Sequence, residues 1–365
     1  MTTHTESPVG ARTIFDGIEM DYFAGTGYLG LQNHPAVLQA VQSTIQRYGF
    51  STATSRGGFG EHPVYDELEK EACAYFGAEK VLYFISGYLG ISILTQATGE
   101  RFDHIFIDSS AHFSLWDAAY ATNRPITPFH HLSPQSLAET LRVDLRPQER
   151  PLILSDGVFP VSGEIAPLPD YLELVKPNQG LVYLDDAHAV GVLGNNGGGT
   201  PEYYAIQDSS CRTSATLAKA LGGSGGVIWG LAEWVNSIDR ASRICVGASP
   251  PPLVVAAASA SALKVARTSP ELRHQLWENV KQARNGLRAL GWQLADTPVP
   301  ILCLEGRRGI SLEMIKKNLF EQLIAVEVVR SYTSTPAGGA LRLAIFATHS
   351  AAQIDRLVAA IDHCI

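Results

Sequence analysis

Two stretches of this 365-residue chain carry side chains whose types and spacing could do chemistry. The first is Asp185-Asp186-Ala187-His188. The second begins 31 residues later and runs Thr216-Leu217-Ala218-Lys219-Ala220-Leu221-Gly222-Gly223-Ser224-Gly225-Gly226. A lysine in a turn of small residues can form a Schiff base with a carbonyl cofactor. An acid at the end of an apolar strand can keep a pyridine nitrogen protonated, so that the ring withdraws electrons. Alone, Asp185 would serve as a helix N-cap and Lys219 as an ordinary lysine in a glycine-rich loop. In this order and together they are what a pyridoxal phosphate (PLP) enzyme needs.

Short apolar runs must position these groups. Leu181-Val182-Tyr183-Leu184 reads as a strand buried on both faces. It delivers Asp185 to its carboxyl end, where ligands sit in open α/β sheets. His104-Ile105-Phe106-Ile107-Asp108 and Pro151-Leu152-Ile153-Leu154-Ser155-Asp156 are two more strands ending in acids, the first followed by His112. Val81 to Ile85 is a fourth. It runs into Ser86-Gly87-Tyr88 and then a helix-like segment, a turn that offers free N–H groups to a phosphate. The glycines from Gly222 to Gly226 lack a following Gly-Lys-Ser/Thr, so they are not a Walker loop. Asn195-Asn196-Gly197-Gly198-Gly199 reads as a flexible surface loop.

At this point the chain resembles the α-oxoamine synthases, a branch of the fold-type-I PLP enzymes. The likeness runs over nearly the whole sequence. It is carried by Tyr28-Leu29-Gly30-Leu31, Ser55-Arg56-Gly57-Gly58, Ser86-Gly87-Tyr88, Asp108 through Ser114, Gly157-Val158-Phe159 with Ala166-Pro167-Leu168, Asp185 to His188, Thr216 to Lys219, and Leu341-Arg342-Leu343 with Ala347-Thr348-His349. The resemblance implies a role for each site residue. Lys219 is the Schiff-base lysine and the base for the α-proton, and Asp185 pairs with the pyridine nitrogen. His188 bonds the phenolic oxygen and His112 stacks on the ring. Ser86, Gly87, Tyr88 and Thr216 bind the phosphate, and Asp156 supports the site. Arg342 holds the carboxylate of an amino-acid substrate, which suits its planar fork. The resemblance also implies a homodimer with the active site at its interface.

The sequence departs from the family pattern mainly at the substrate end. Thr26 stands where the family has an Asn that helps hold the substrate carboxylate, and Pro160 where it has a Ser. A proline has neither hydroxyl nor N–H to donate. Ile91 replaces a common Asn, and Ser249 is the remaining hydroxyl where relatives carry a Thr pair that reaches the neighbouring subunit's phosphate. The cofactor core is retained, and two of three usual carboxylate donors are gone.

Composition agrees with an enzyme of this size. A formal net charge of −8 with 18% charged residues excludes sequence-independent nucleic-acid binding, which needs clustered basic charge. Arg307-Arg308 is too short for a basic patch. No apolar run reaches the roughly 18 residues that a membrane span needs, and the first seven residues show no signal-peptide pattern. Five scattered cysteines without C-x-x-C pairs read as reduced thiols, so a cytoplasmic location is expected. His62, His130, His131 and His349 lack metal-ligand spacing. The expected architecture is α/β, a fold-type-I transferase with a mostly parallel sheet flanked by helices and a smaller C-terminal α+β domain. The expected parts are an N-terminal arm over residues 1–45, a PLP-binding domain over 46–250 and a small domain over 251–365. Helices are expected at Pro35 to Tyr48, after Ser249-Pro250-Pro251-Pro252, near Ser269 to Leu290 and from Leu312; strands at Val299 to Leu304 and near Ala340 to Ala344.

The resemblance therefore implies a PLP-dependent acyltransferase. It would condense an amino acid with an acyl thioester, acyl-CoA or an acyl carrier protein, with decarboxylation to an α-amino ketone. Transamination, racemisation, aldol cleavage and simple decarboxylation are the alternatives from the same cofactor, and a non-catalytic partner subunit is the alternative from another class.

Overall fold

A computed structural model describes residues 3–306 and 311–364. Arg307-Arg308 lies outside them. The chain opens with an antiparallel hairpin of β1 (Arg12–Phe15) and β2 (Ile18–Tyr22), followed by helices Pro35–Tyr48 and Pro63–Phe76. Both helices start on proline, whose missing N–H costs nothing at the first turn. Both are capped by a histidine: His34 Nδ1 accepts from Ala36 N–H, and His62 Nδ1 from Val64 N–H.

Seven strands then build the central sheet: β3 (Lys80–Phe84), β4 (His104–Asp108), β5 (Ile126–Phe129), β6 (Pro151–Asp156), β7 (Leu181–Asp185), β8 (Cys211–Thr216) and β9 (Gly226–Gly230). Their order is β3-β9-β8-β7-β6-β4-β5, and only β9 runs against the rest. β4, β6 and β7 are buried along their whole length. That is why they read as continuous apolar runs, since helices cover both faces of a parallel sheet. Helices Gly90–Ala97, Phe113–Tyr120 and Ala232–Ala241 pack one part of the sheet, and Pro134–Asp144 and Leu168–Val175 another. Each fully buried Leu, Ile or Phe in these layers contributes about 1.5–3 kcal/mol.

The C-terminal part holds helices Leu253–Thr268, Glu271–Ala289, Leu312–Glu321 and Ala351–Asp362, with strands β10 (Ile301–Glu305), β11 (Ile324–Ala325), β12 (Glu327–Val329) and β13 (Ala340–Ala344). β13 lies between β10 and β12, antiparallel to both, while β11 pairs back onto β2 of the opening hairpin. The small apolar stretch Val254 to Ala262 is largely buried against the two N-terminal helices. Among the described residues no helix is long and apolar enough to cross a membrane.

Asn195 to Gly199 differs from its expectation. The asparagines are exposed, but Gly197 and Gly199 are buried. Arg273 donates to Asn195 O, Tyr75 Oη to Gly197 O, and the Glu202 carboxylate accepts from Asn196 and Gly198 N–H. The segment is a pinned turn.

Candidate active site

β4, β6 and β7 are neighbours in the sheet and each ends in an aspartate, so Asp108, Asp156 and Asp185 form a row at its carboxyl edge. Asp156 and Asp185 are direct register partners, 3% and 6% exposed. A buried carboxylate is costly without donors, and each has one or more. Asp185 Oδ1 accepts from Ala187 N–H at 2.9 Å, and Asp156 Oδ2 from His112 N–H at 2.8 Å. Asp108 accepts from Ser110 and Leu132 N–H and pairs with His131 at 2.9 Å. Burial raises the pKa of Asp185, and Lys219 pulls it down. Burial raises Asp156 further, and the like charge of Asp185 adds to the rise. Asp186 points the other way: its carboxylate accepts from the N–H and hydroxyl of Thr200, and burial lifts its pKa to about 7.

Lys219 follows β8 in a turn closed by Gly222 N–H to Lys219 O and Gly223 N–H to Leu217 O. Gly222 has φ +61°, and a Cβ there would meet Gln32 N at 2.3 Å, so only glycine fits beside the N-terminal segment. Lys219 is half-buried. Burial lowers its pKa, Asp185 and Asp156 oppose that shift, and Arg342 adds to it. The amine therefore shares one electrostatic pocket with all three.

The turn Ser86-Gly87-Tyr88 opens the helix Gly90–Ala97 and lies against β8. A Cβ on Gly87 would meet Thr216 Cβ at 2.5 Å. The turn therefore packs directly against Thr216. Ser86 Oγ accepts from Tyr88 N–H at 3.4 Å, Thr216 Oγ1 donates to Gly225 O at 3.0 Å, and Tyr88 Oη bonds Asp117.

His112 caps the helix Phe113–Tyr120, with Nδ1 2.8 Å from Ser114 Oγ. Its Nε2 lies 2.7 Å from Tyr332 Oη, and the rings of Tyr88 and Phe113 flank it. Burial lowers its pKa. His188 is 5% exposed, and burial with the nearby Lys219 and Arg342 holds its pKa well below the usual range. It is neutral, with Nδ1 2.8 Å from Tyr28 Oη.

Arg342 comes from β13, far from the other groups in sequence. Its Nε donates to Pro160 O at 2.7 Å, Nη1 to Gly25 O at 3.1 Å and Nη2 to Tyr28 Oη at 3.3 Å. Three of five N–H groups are committed, which leaves two for a ligand. Thr26 directly follows Gly25 and is half-buried. Pro160 therefore meets Arg342 through its carbonyl.

Three groups escaped the sequence reading. Tyr28 was visible in a motif but without a role; Tyr332 touches His112 across 220 residues. His131 bridges Asp108 and Glu164, at 2.9 and 3.3 Å. Burial works against its charge, but the hydrogen bonds of both carboxylates outweigh it and raise its pKa to about 9. No spacing rule pairs such distant residues, so the sequence held no signal for them beyond residue type.

The arrangement fits PLP: a partly desolvated amine, a buried carboxylate near it, a neutral histidine, and a glycine turn that closes on Thr216. The profile of the family "Aminotransferase class I and II" matches residues 24–361. The chain is 32% identical over 358 residues to 8-amino-7-oxononanoate synthase of Methylococcus capsulatus, covering 98% of this chain and 92% of that protein. It is 31% identical over 351 residues to the same enzyme of Coprothermobacter proteolyticus, covering 96% and 89%. A solved serine palmitoyltransferase from S. paucimobilis with bound PLP–myriocin superposes with a TM-score of 0.87 at 26% identity, covering 98% and 90%. The chain belongs to the aminotransferase class I and II family, the fold-type-I PLP-dependent transferases. Within it the protein is a PLP-dependent enzyme of the α-oxoamine synthase branch.

Proposed function

We propose that the protein condenses an amino acid with an acyl thioester, acyl-CoA or acyl carrier protein, releasing thiol and CO₂ and giving an α-amino ketone. The observation that carries this reading is the shared pocket of Lys219, Asp185, His188 and Arg342. Lys219 would hold PLP covalently, Asp185 its ring nitrogen, His188 its phenolic oxygen and His112 its ring face. Gly87, Tyr88, Ser86 and Thr216 would hold the phosphate. When bound, PLP supplies an electron sink for negative charge at the donor's α-carbon.

The chain's own groups do the rest. Lys219, its pKa lowered by burial, can take the α-proton at Nζ. Asp156 lies beside Asp185, and burial together with that neighbouring charge raises its pKa. Of the two, Asp156 is the one more disfavoured as an anion, because Lys219 is the largest influence opposing the rise at Asp185. Arg342 offers its two remaining N–H groups to the donor carboxylate.

The same reading includes a homodimer. Phe59 is 99% exposed and Val246 68%. A cleft of about 480 Å³ beside them is lined by Arg56, Ile85, Ser249 and Pro250. In a homodimer this face is the one that the partner would cover.

A second reading is a different PLP outcome, such as transamination or racemisation. Pro160 and Thr26 favour it, because they leave Arg342 with fewer helpers for the carboxylate. The deciding experiment is thiol release by PLP-loaded protein over a grid of amino acids and acyl-CoAs. Amino-acid-dependent release supports the condensation. No release with any pair, or with acyl carrier protein, together with visible spectral change on adding an amino acid, supports the second reading.

A further inference from the structure

Tyr28 joins His188 to Arg342, the latter 314 residues away from it in the sequence. Its side chain is fully buried. Among the described residues its hydroxyl has two partners: Arg342 Nη2 at 3.3 Å and His188 Nδ1 at 2.8 Å.

Proton accounting settles the direction of both bonds. A guanidinium only donates, so the Tyr28 oxygen accepts from Arg342. The Tyr28 proton then has one acceptor within reach, His188 Nδ1. Were that nitrogen protonated, it would donate to the Tyr28 oxygen, and the buried hydroxyl proton would have no acceptor among the described residues. Burial, together with Lys219, Arg342 and His112 nearby, disfavours a second proton on His188. Its one proton therefore sits on Nε2, and which ring nitrogen carries the proton is set by the bond at the other.

We propose that Tyr28 is a positioning residue. By donating to His188 Nδ1 while accepting from Arg342, it fixes His188 as the Nε2–H tautomer and couples the carboxylate-binding arginine to the histidine at the cofactor. This rests on the reading that His188 faces the cofactor and Arg342 the donor carboxylate. A carboxylate that draws Arg342 Nη2 toward itself lengthens the bond to Tyr28, leaving the hydroxyl a weaker donor to His188. The cofactor end thereby senses whether the donor site is filled.

The test uses the full chain, selectively ¹⁵N-labelled at histidine, without and with PLP. His188→Gln assigns the resonance. The wild-type protein is expected to show a protonated Nε2 and a pyridine-like Nδ1 for His188. Tyr28→Phe keeps the ring and removes the hydroxyl. In it the His188 pattern is expected to move to the Nδ1–H form or a mixture of the two. With PLP bound, the visible absorbance maximum of Tyr28→Phe is expected to shift, and KM for the amino acid to rise about tenfold with a smaller change in kcat. A wild-type His188 protonated at Nδ1 overturns the proposal, whether or not the variant folds. So does a Tyr28→Phe protein that keeps both the wild-type tautomer and the wild-type spectrum. Failure of the wild-type chain to take up PLP would overturn the cofactor reading instead, and the tautomer result on the PLP-free protein would stand apart from it.

Discussion

The carboxyl edge of the central sheet and the pocket around Arg342 are built by different means. At the sheet edge, side chains from regular elements do the work. Asp156 and Asp185 end adjacent strands, Lys219 follows β8, and His112 caps a helix. At the Arg342 end, loop backbone does it: Pro160 O and Gly25 O accept from the guanidinium. The first region holds the sequence motifs that carry the family resemblance; the second holds Thr26 and Pro160, where the sequence departs from it. A strand end fixes a side chain to within a fraction of an ångström, so chemistry stored there tolerates little change. A carbonyl is supplied by any residue, so a loop can trade Ser for Pro and still hold its arginine while changing what the arginine can greet.

Four variants probe this contrast. Lys219→Ala should abolish the sheet-edge chemistry, lowering turnover by roughly 10³-fold or more and removing the visible band of the PLP-loaded protein. Steady-state kinetics and an absorbance scan check it; retention of both would break the comparison at its stronger end. Arg342→Ala should act mainly on the donor, raising KM for the amino acid by about 10- to 100-fold. Equal losses with and without a donor carboxylate would show that it only props the loop.

His131→Gln probes how the loop itself is held. The folded pKa of His131 is about 9, above the unfolded value of 6.5, so its stabilisation is fully present below pH 6.5 and is lost as pH rises through 9. With partial exposure discounted, the substitution should cost about 2 kcal/mol near pH 6 and little near pH 10. Urea unfolding at both pH values reads the difference. The smallest effect should come from the double change Thr26→Asn with Pro160→Ser, which restores two donors. A shift of several-fold in relative kcat/KM among amino-acid donors is expected. An unchanged donor profile would show that the two departures do not set selectivity.

Much of the frame was legible. Leu181 to Asp185 and His104 to Asp108 read as buried strands because helices cover both faces of the sheet, and Pro35, Leu312 and the Ser249-to-Pro252 break marked helix starts. β8 was not legible: Arg212, Thr213, Ser214 and Thr216 give it no apolar run, although it leads straight to Lys219. The opening hairpin was read only as an arm, since its pairing with β11 joins residues some 300 apart. At the site, residue type and order pointed to Lys219, Asp185 and His188. The Tyr28–Arg342 and His112–Tyr332 bonds exist only through tertiary folding, and single-sequence spacing holds no trace of them.

The link from Arg342 through Tyr28 to His188 also bears on synthesis. Its members leave the ribosome in the order Tyr28, His188, Arg342. A ribosome-bound chain can shape the sheet edge once β9 has emerged, but the arginine that completes the pocket comes more than a hundred residues later. Such distant closure is slow. On the roles proposed above, a chain not yet extended through β13 lacks the arginine that the donor site needs.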